Sequence, residues 1–175
     1  MLPVPIPRTF GVQEVEVAAY LNAVRDALNF LINPPVCFVT QLTTSSISTA
    51  VWTALAMDVS VVDSYGGHSN TTNPSRYTAQ VAGWYLVSGA SSFAANGTGL
   101  RGALPGKNST HVPGGGQLTP TTPSSPPTNA TASIPIFLNV GDYVETFGFQ
   151  SSGGGLATAQ GSDLTSSLSA LWIHA

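Results

Sequence analysis

The feature that most constrains the fold is a change of hydrophobic period at Asn33-Pro34-Pro35. Before these prolines, apolar residues recur every three or four positions, as they do along one side of a helix. After them, apolar residues fall in short runs bounded by Gly, Pro, Asn and Ser, and no helical period returns. This pattern predicts an antiparallel sandwich or a closed β architecture. The predicted strands cover residues 36–42, 51–57, 59–63, 76–81, 84–93, 99–104, 131–138, 142–150, 156–160 and 167–174.

Residues 12–32 form the one predicted helix, within a segment 12–33 that ends at the prolines. Its apolar residues alternate spacings of four and three, which is a heptad seam. A helix this short is marginal alone, so the seam must be buried. It either caps the β domain or associates with copies of itself as a trimerising bundle. The seam residues are Val17, Leu21, Val24, Leu28 and Leu31.

Residues 1–11 are predicted to be an extended arm, because proline alternates there with Leu, Val and Ile and disfavours helix. Its apolar side chains would be costly to leave in water, so we expect the arm to dock on a partner rather than remain disordered. These side chains are Leu2, Val4, Ile6 and Phe10. The chain starts with neither a basic n-region nor an apolar h-region, so we expect no signal peptide and synthesis in a cytosol.

The surface is expected to be polar but uncharged. Only 7% of the residues are charged, whereas roughly 25% is typical. The net charge of −3, with five scattered basic residues, argues against nucleic acid and a membrane surface as partners. No apolar run approaches the length of a transmembrane helix. The single cysteine, Cys37, excludes an internal disulfide and lies in an apolar run, so we expect it to be buried.

Residues 84–93 are predicted to be a long central strand, which follows a turn at Ala82-Gly83. Both of its faces are apolar at the start and small further on. This suggests a strand buried on both sides at one end, with another element packed closely against Gly89 and Ala90.

Two long stretches without a strand pattern, residues 64–75 and 105–130, are predicted to be loops. Loops on a rigid scaffold often carry binding sites, and the first of these has the side chains for one. Aromatic and imidazole rings there could stack on a sugar, and amide and guanidinium groups could hydrogen-bond it. The alternative is that the segment packs at a subunit interface. The candidate ligand residues are Tyr65, His68, Asn70, Asn73 and Arg76.

No pattern of catalytic residues emerges, so we expect a protein that is not an enzyme and needs neither cofactor nor metal. No two of the eight acidic residues have a spacing that argues for acid–base catalysis. The three histidines are far apart in sequence and no Gly-x-Ser-x-Gly elbow occurs. Asp142 follows a turn glycine and is expected to fix that turn through hydrogen bonds to the backbone.

Three segments, in order, resemble the C1q/TNF-type jelly roll. Residues 77–88 resemble its aromatic-x-hydrophobic-x-x-x-Gly-x-Tyr pattern. Leu-Asn-Val-Gly-Asp-Tyr-Val-Glu, at residues 138–145, is similar to the entry of a later strand, and Ser-Leu-Ser-Ala-Leu-Trp-Ile, at residues 167–173, is similar to the closing strand. The resemblance implies a mainly β fold: an antiparallel jelly-roll sandwich at residues 36–175, preceded by the N-terminal helix and the proline-rich arm. The family is characteristically trimeric.

The whole chain also resembles small virion proteins of actinobacterial phages, the minor tail protein type. Tyr-Leu-Asn-Ala-Val-Arg-Asp at residues 20–26 is similar to their helix, and Gly-His-Ser-Asn-Thr-Thr-Asn-Pro-Ser-Arg at residues 67–76 to a segment of their domain. The 105–130 loop departs from them in length and proline content. The resemblance implies a homotrimer in the virion, bound to other tail or capsid proteins and to host cell-wall polysaccharide. Capsid decoration, a head fibre and a free glycan- or protein-binding module are the alternatives.

Overall fold

A computed structural model describes residues 14–121, 128–161 and 163–175. The chain divides into two compact units, residues 1–34 with Ala175 and residues 35–174. The first contains the helix α1, Glu14–Ile32. It ends where the sequence predicts, because a residue that precedes proline is disfavoured in helical conformation. Within the described ranges, no helix is both long enough and apolar enough to cross a membrane.

The second unit contains a strand at each predicted position, several of them shorter than predicted, and three further short strands at residues 46–47, 110–111 and 117–120. Its described residues form β1 (Val36–Thr40), β2 (Ser46–Ile47), β3 (Thr53–Ala54), β4 (Val59–Asp63), β5 (Arg76–Thr78), β6 (Gly83–Phe93), β7 (Leu100–Lys107), β8 (Thr110–His111), β9 (Gln117–Pro120), β10 (Thr128–Leu138), β11 (Tyr143–Gln150), β12 (Leu156–Ala157) and β13 (Ser167–His174).

The described strands form two principal sheets, and neighbouring strands in each are antiparallel. One sheet has five strands in the order β10-β6-β13-β1-β4. The other has the order β3-β11-β7-β8, with β5 also on β11 and β9 also on β7. Strand β6 contacts β7 and β11, and β10 contacts β7, so the two sheets face each other as a sandwich. The predicted antiparallel sandwich is therefore confirmed.

The core lies between the two sheets and follows the alternation of side chains along each strand. The five-stranded sheet contributes Cys37, Val39, Tyr85 and Val87. These meet Tyr77 and Val144 of the other sheet, and Leu55, which directly follows β3. The hydroxyl group of Tyr85 donates to the carbonyl of Val81 at 2.7 Å, which satisfies the polar end of a buried ring. Cys37 is fully buried, as the sequence predicts.

The prediction that β6 is buried on both sides at one end is confirmed, and that end is the far one, residues 89–93. At its start, Trp84 and Leu86 remain 39% and 40% exposed, because the second sheet covers only the opposite face. At its far end, the Ser92 N–H donates to Ser166 Oγ at 3.1 Å, so the segment before β13 covers the outer side there. The close approach at Gly89 is confirmed, since a Cβ built there would lie 2.8 Å from Thr146 Oγ1.

The prediction of one long loop at residues 105–130 was wrong. Strand β7 extends to Lys107, β8 and β9 both pair with it, and β10 already begins at Thr128. The composition suggested a loop, but backbone groups that run beside β7 gain hydrogen-bond partners there. Pro120 is tolerated because β9 is an edge strand, where one side of the backbone needs no ladder partner. Residues 122–127 of the predicted loop lie outside the described residues.

Candidate functional site

An open cavity of about 340 Å³ lies beside β5. The β4–β5 loop supplies residues 66–69, 72 and 73 of its wall, β5 and the turn after it supply residues 76, 78 and 80, and β11 supplies residue 143. Most of these side chains are hydroxyl, amide or guanidinium groups. The volume falls within the usual range of ligand sites, roughly 300–1,000 Å³.

The first half of the β4–β5 loop is held in place by Asp63, the last residue of β4. Its carboxylate accepts the N–H of Gly67 at 3.1 Å and that of His68 at 2.8 Å. The His68 ring then spans two backbone segments, with Nδ1 2.7 Å from the carbonyl oxygen of Arg76 and Nε2 3.0 Å from that of Met57. These bonds fix one wall of the pocket before any ligand binds.

The second half of the loop is closed by local hydrogen bonds. Ser69 Oγ accepts the N–H of Thr72 at 3.1 Å. Asn73 adopts a left-handed conformation with φ of 51°, which asparagine tolerates better than most residues, and its carbonyl accepts the N–H of Arg76 at 3.1 Å. Gly67 lies so close to β5 that a Cβ would strike the carbonyl oxygen of Thr78 and the ring of Tyr77. Glycine is therefore required there.

Arg76 is positioned by the pairing of β5 with β11. The register places Arg76 opposite Glu145 and Thr78 opposite Tyr143. Arg76 Nε donates to Glu145 Oε1 at 3.4 Å, and the guanidinium carbon lies 4.1 Å from the centre of the Tyr143 ring. Ser75 Oγ donates to the same Glu145 oxygen at 2.7 Å. Two cross-strand neighbours thus hold the arginine side chain at the pocket wall.

Tyr143 is fixed in turn by the β7–β8 turn. Its N–H donates to Asn108 Oδ1 at 2.9 Å, and its hydroxyl lies 2.8 Å from Ser109 Oγ. The adjacent Asp142 accepts the N–H of Asn139 at 2.8 Å, so the predicted role of this carboxylate in the turn is confirmed. The Lys107 ammonium lies 2.8 Å from the same carboxylate oxygen.

Hydrogen bonds hold the pKa of Asp142 well below its usual range. The Lys107 ammonium contributes most, followed by the Asn108 side-chain amide and the Asn139 N–H. The carboxylate is therefore charged at neutral pH and well into the acid range.

The structure brings together three of the five candidate ligand residues. His68, Asn73 and Arg76 line the pocket, whereas Tyr65 and Asn70 are not among its lining residues. Asn70 accepts instead from Ser60 Oγ at 2.8 Å. Sequence reasoning missed Thr78, Gln80 and Tyr143, because two of these residues follow the loop and the third comes from a strand more than sixty residues later. The alternation of β5 could have identified Thr78, two residues after Arg76 on the same face.

A second surface lies on the outer side of the five-stranded sheet. Trp84 and Leu86 of β6 lie there beside apolar residues from all four remaining strands of the sheet. Phe137 is opposite Trp84, and Pro135 and Leu171 are opposite Leu86. Phe38 of β1 is opposite Val62 of β4. The large apolar side chains in this set are between 37% and 41% exposed. We call this surface the apolar sheet face: Val36, Phe38, Val62, Trp84, Leu86, Pro135, Phe137 and Leu171.

The seam of α1 is also largely exposed in the single chain. Leu21 is 59% exposed, Leu28 51% and Leu31 71%, whereas Val24 is half-buried and Val17 is 45% exposed. The arm residues Leu2, Val4, Ile6 and Phe10 lie outside the described residues. The described chain also brings no three His, Cys, Asp or Glu side chains together in a group that could hold a metal ion.

No model of a protein family matches the sequence, and no curated protein does. Solved structures do match the β unit. The globular domain of zebrafish complement 1qA superimposes with a TM-score of 0.56 at 14% identity, over 80% of this chain and 98% of that one. Murine APRIL gives 0.58 at 11% identity, over 78% and 98%. Eiger TNF from S. frugiperda gives 0.55 at 12%, over 81% and 95%.

The fold is the C1q/TNF jelly roll. It was predicted from three short segments of the sequence, and the two-sheet topology and these superpositions confirm it. Within this jelly roll the two candidate surfaces are separate. The pocket is built on β5 and β11 of one sheet, whereas the apolar sheet face belongs to the other. Association through one surface therefore need not obstruct the other.

Proposed function

We propose that this protein is a homotrimeric, non-catalytic attachment protein of a phage particle, located at the tail tip or fibre. It joins other virion proteins and contacts the host surface. The placement in a virion is supported by the resemblance of residues 20–26 and 67–76 to phage minor tail proteins. The trimeric state is supported by the apolar sheet face and by the C1q/TNF fold.

The observation that carries the proposal is the apolar sheet face. It extends across all five strands of one sheet, with Trp84 and Phe137 in edge-to-face contact at 5.7 Å between ring centres. A contiguous apolar patch that includes aromatic residues is typical of a protein interface. Arginine, lysine and carboxylate side chains are missing from its defining residues, so other copies of the same face are suitable partners.

The helix and the polar loops extend this proposal. Three copies of α1 would bury the exposed seam as a short bundle. The arm, residues 1–11, docks the trimer on a neighbouring virion protein. Three copies of an uncharged polar surface suit weak contacts with cell-wall polysaccharide, because multivalency raises the overall affinity.

Association is tested by placing a charge on the apolar sheet face. We expect Leu86→Glu to convert the trimer to monomers in light scattering coupled to gel filtration, because three carboxylates would be buried together. Leu118→Glu is the matched control, since Leu118 is 52% exposed on β9 of the other sheet. A Leu86→Glu variant that remains trimeric would show that this face is not the interface.

Location is tested by immunogold electron microscopy with antibody raised to the β unit and applied to phage particles from the source strain. Label at the distal tail is the expected result. Label over the head would replace the tail assignment with capsid decoration or a head fibre. Particles without label would remove the virion role and leave a free binding module.

A further inference from the structure

The pocket beside β5 presents a positive charge with no competing carboxylate on its wall. Arg76 is the one permanently charged residue among its described lining residues. The two acids that hydrogen-bond to lining residues of the pocket, Glu145 and Asp63, are already engaged. Glu145 is 3% exposed and accepts from Ser75 Oγ and Arg76 Nε, and the Asp63 carboxylate accepts two backbone N–H groups of the loop. A ligand in the pocket therefore meets the guanidinium rather than these carboxylates.

The far end of the Arg76 guanidinium is available for a ligand. Its Nε is directed to Glu145, and one face of the group lies over the Tyr143 ring. Within the part of the chain that the structure describes, Nη1 and Nη2 have no hydrogen-bond partner, and the side chain is 34% exposed. Two adjacent N–H donors in one plane match the two oxygens of a carboxylate or a phosphate.

The guanidinium is also held in position before a ligand arrives. Glu145 and Tyr143 limit its rotation, and Tyr143 is itself fixed by Asn108 and Ser109. An arginine that is already ordered loses less entropy on binding than a free one. The ion pair with Glu145 therefore acts to position the donors, and it leaves them unsatisfied.

Around this charge the wall carries neutral polar groups. Ser69, Thr72 and Asn73 line the pocket together with Thr78 and Gln80. Ser69 Oγ accepts the Thr72 N–H, so its own O–H is free to donate to a ligand oxygen. Such groups suit the hydroxyls of a sugar or polyol, and the cavity of about 340 Å³ is large enough for a residue of such a chain.

We propose that this pocket binds an anionic glycan through Arg76, which pairs with the carboxylate of an acidic sugar or the phosphate of a sugar- or polyol-phosphate chain. Hydroxyl and amide groups of the loop bind the neutral part of the same residue. This inference rests on the proposed attachment role and gives the ligand of that role a chemical class.

Binding is measured by isothermal titration calorimetry on the full trimeric chain with three probes. These are an oligogalacturonate, its methyl ester, which is neutral, and a poly(glycerol phosphate) chain. We expect binding to at least one of the two anionic probes and none to the ester. A preference for oligogalacturonate identifies an acidic sugar, and a preference for poly(glycerol phosphate) identifies a phosphodiester chain.

Two variants test the role of Arg76, each with its own control. Arg76→Gln is expected to weaken binding roughly ten- to a hundredfold, and Arg25→Gln removes the same charge from the helix as a control. Because Arg76→Gln leaves a buried Glu145 without its cation, a second variant retains the pair. Thr72→Glu adds a repelling charge inside the pocket, and Thr71→Glu adds it to an exposed neighbour that does not line the pocket.

The proposal is overturned if no probe binds, if ester and acid bind equally, or if Thr72→Glu and Thr71→Glu behave alike. The oligomeric state of each variant is measured in parallel by light scattering. A trimer that labels the phage tail but ignores all three probes would retain the attachment role and lose the anionic ligand. A monomer that binds oligogalacturonate would retain the anionic ligand and lose the trimeric attachment role.

Discussion

At the scale of single residues, Asp142 shows how one carboxylate can organise a turn. It accepts from Asn139, Asn108 and Lys107, and Gly141 before it has a φ of 90°. A glycine followed by aspartate after an apolar run predicts this arrangement, because aspartate readily bonds to a nearby backbone N–H. The bonds from Asn108 and Lys107 come from a distant turn, and no local pattern predicts them.

Asp142→Asn should lower the melting temperature by roughly 2–4 °C at pH 7, because it removes the charge that Lys107 and Asn108 contact. The pKa of Asp142 is lowered in the folded protein, so its stabilising effect is present above the unfolded value of about 3.9. That effect is lost as the pH falls towards the lower folded value. The difference in melting temperature between the wild type and the variant should therefore become smaller below about pH 4.

The measurement is a series of thermal melts between pH 2 and pH 7. Asp163→Asn serves as the control, since Asp163 is exposed and its removal changes the net charge by the same amount. A gap that stays constant with pH would contradict the role assigned to the Asp142 charge.

Cys37 illustrates a residue whose environment was predictable. Burial, with a smaller contribution from Asp63, raises the pKa of its thiol to about 12. Since the thiolate is the reactive form, the folded protein should react with iodoacetamide at pH 8 at least about a hundredfold more slowly than the protein in denaturant. Equal rates in both states, followed by mass spectrometry, would mean that β1 opens readily.

At the scale of elements, β6 shows why burial was harder to predict than strand position. Its two faces carry Trp84 and Leu86 on one side and Tyr85 and Val87 on the other, so both have the composition of a core. A monomer covers only the second face. The local sequence predicts that a face is apolar. Whether its own chain or another copy covers that face depends on the topology, which no local pattern predicts.

For the helix α1, a double variant tests whether other copies of the chain cover its exposed seam. Leu21→Asp with Leu28→Asp should convert the proposed trimer to monomers or aggregate, because both positions lie in the proposed bundle. Asn22→Asp with Asn29→Asp places the same charges on exposed positions outside the seam. Analytical ultracentrifugation separates the outcomes. Trimers in the seam variant would mean that the helix is not the trimerisation element.

At the scale of the whole molecule, the stability of a chain that folds as a trimer must depend on the protein concentration. If three chains unfold together, a tenfold increase in concentration stabilises each chain by about 0.9 kcal/mol, two thirds of the value for a tenfold change in an equilibrium constant. The melting temperature should then rise by roughly 2–4 °C per tenfold. Calorimetry between micromolar and hundred-micromolar protein measures this, and a constant temperature would indicate a monomer.

The architecture of the β unit was accessible from the sequence because its signals are local. Turn residues and short apolar runs predict where the strands lie, and three family-like segments predict the jelly-roll fold. The pocket was accessible only in part. Arg76 and His68 lie in the predicted loop, but their partners Tyr143 and Met57 are set by long-range pairing. The exposed apolar sheet face could be recognised only after the topology was known.

The adjacency of the first and last strands has a consequence for evolution. Strands β1 and β13 lie side by side, with Val36 opposite Leu171, so the chain enters and leaves the jelly roll at one place. Domains with neighbouring ends can be inserted into, or exchanged between, unrelated genes without disturbing their sheets. The β unit is thus suited to recombination as a cassette, which can be exchanged while the N-terminal helix is retained.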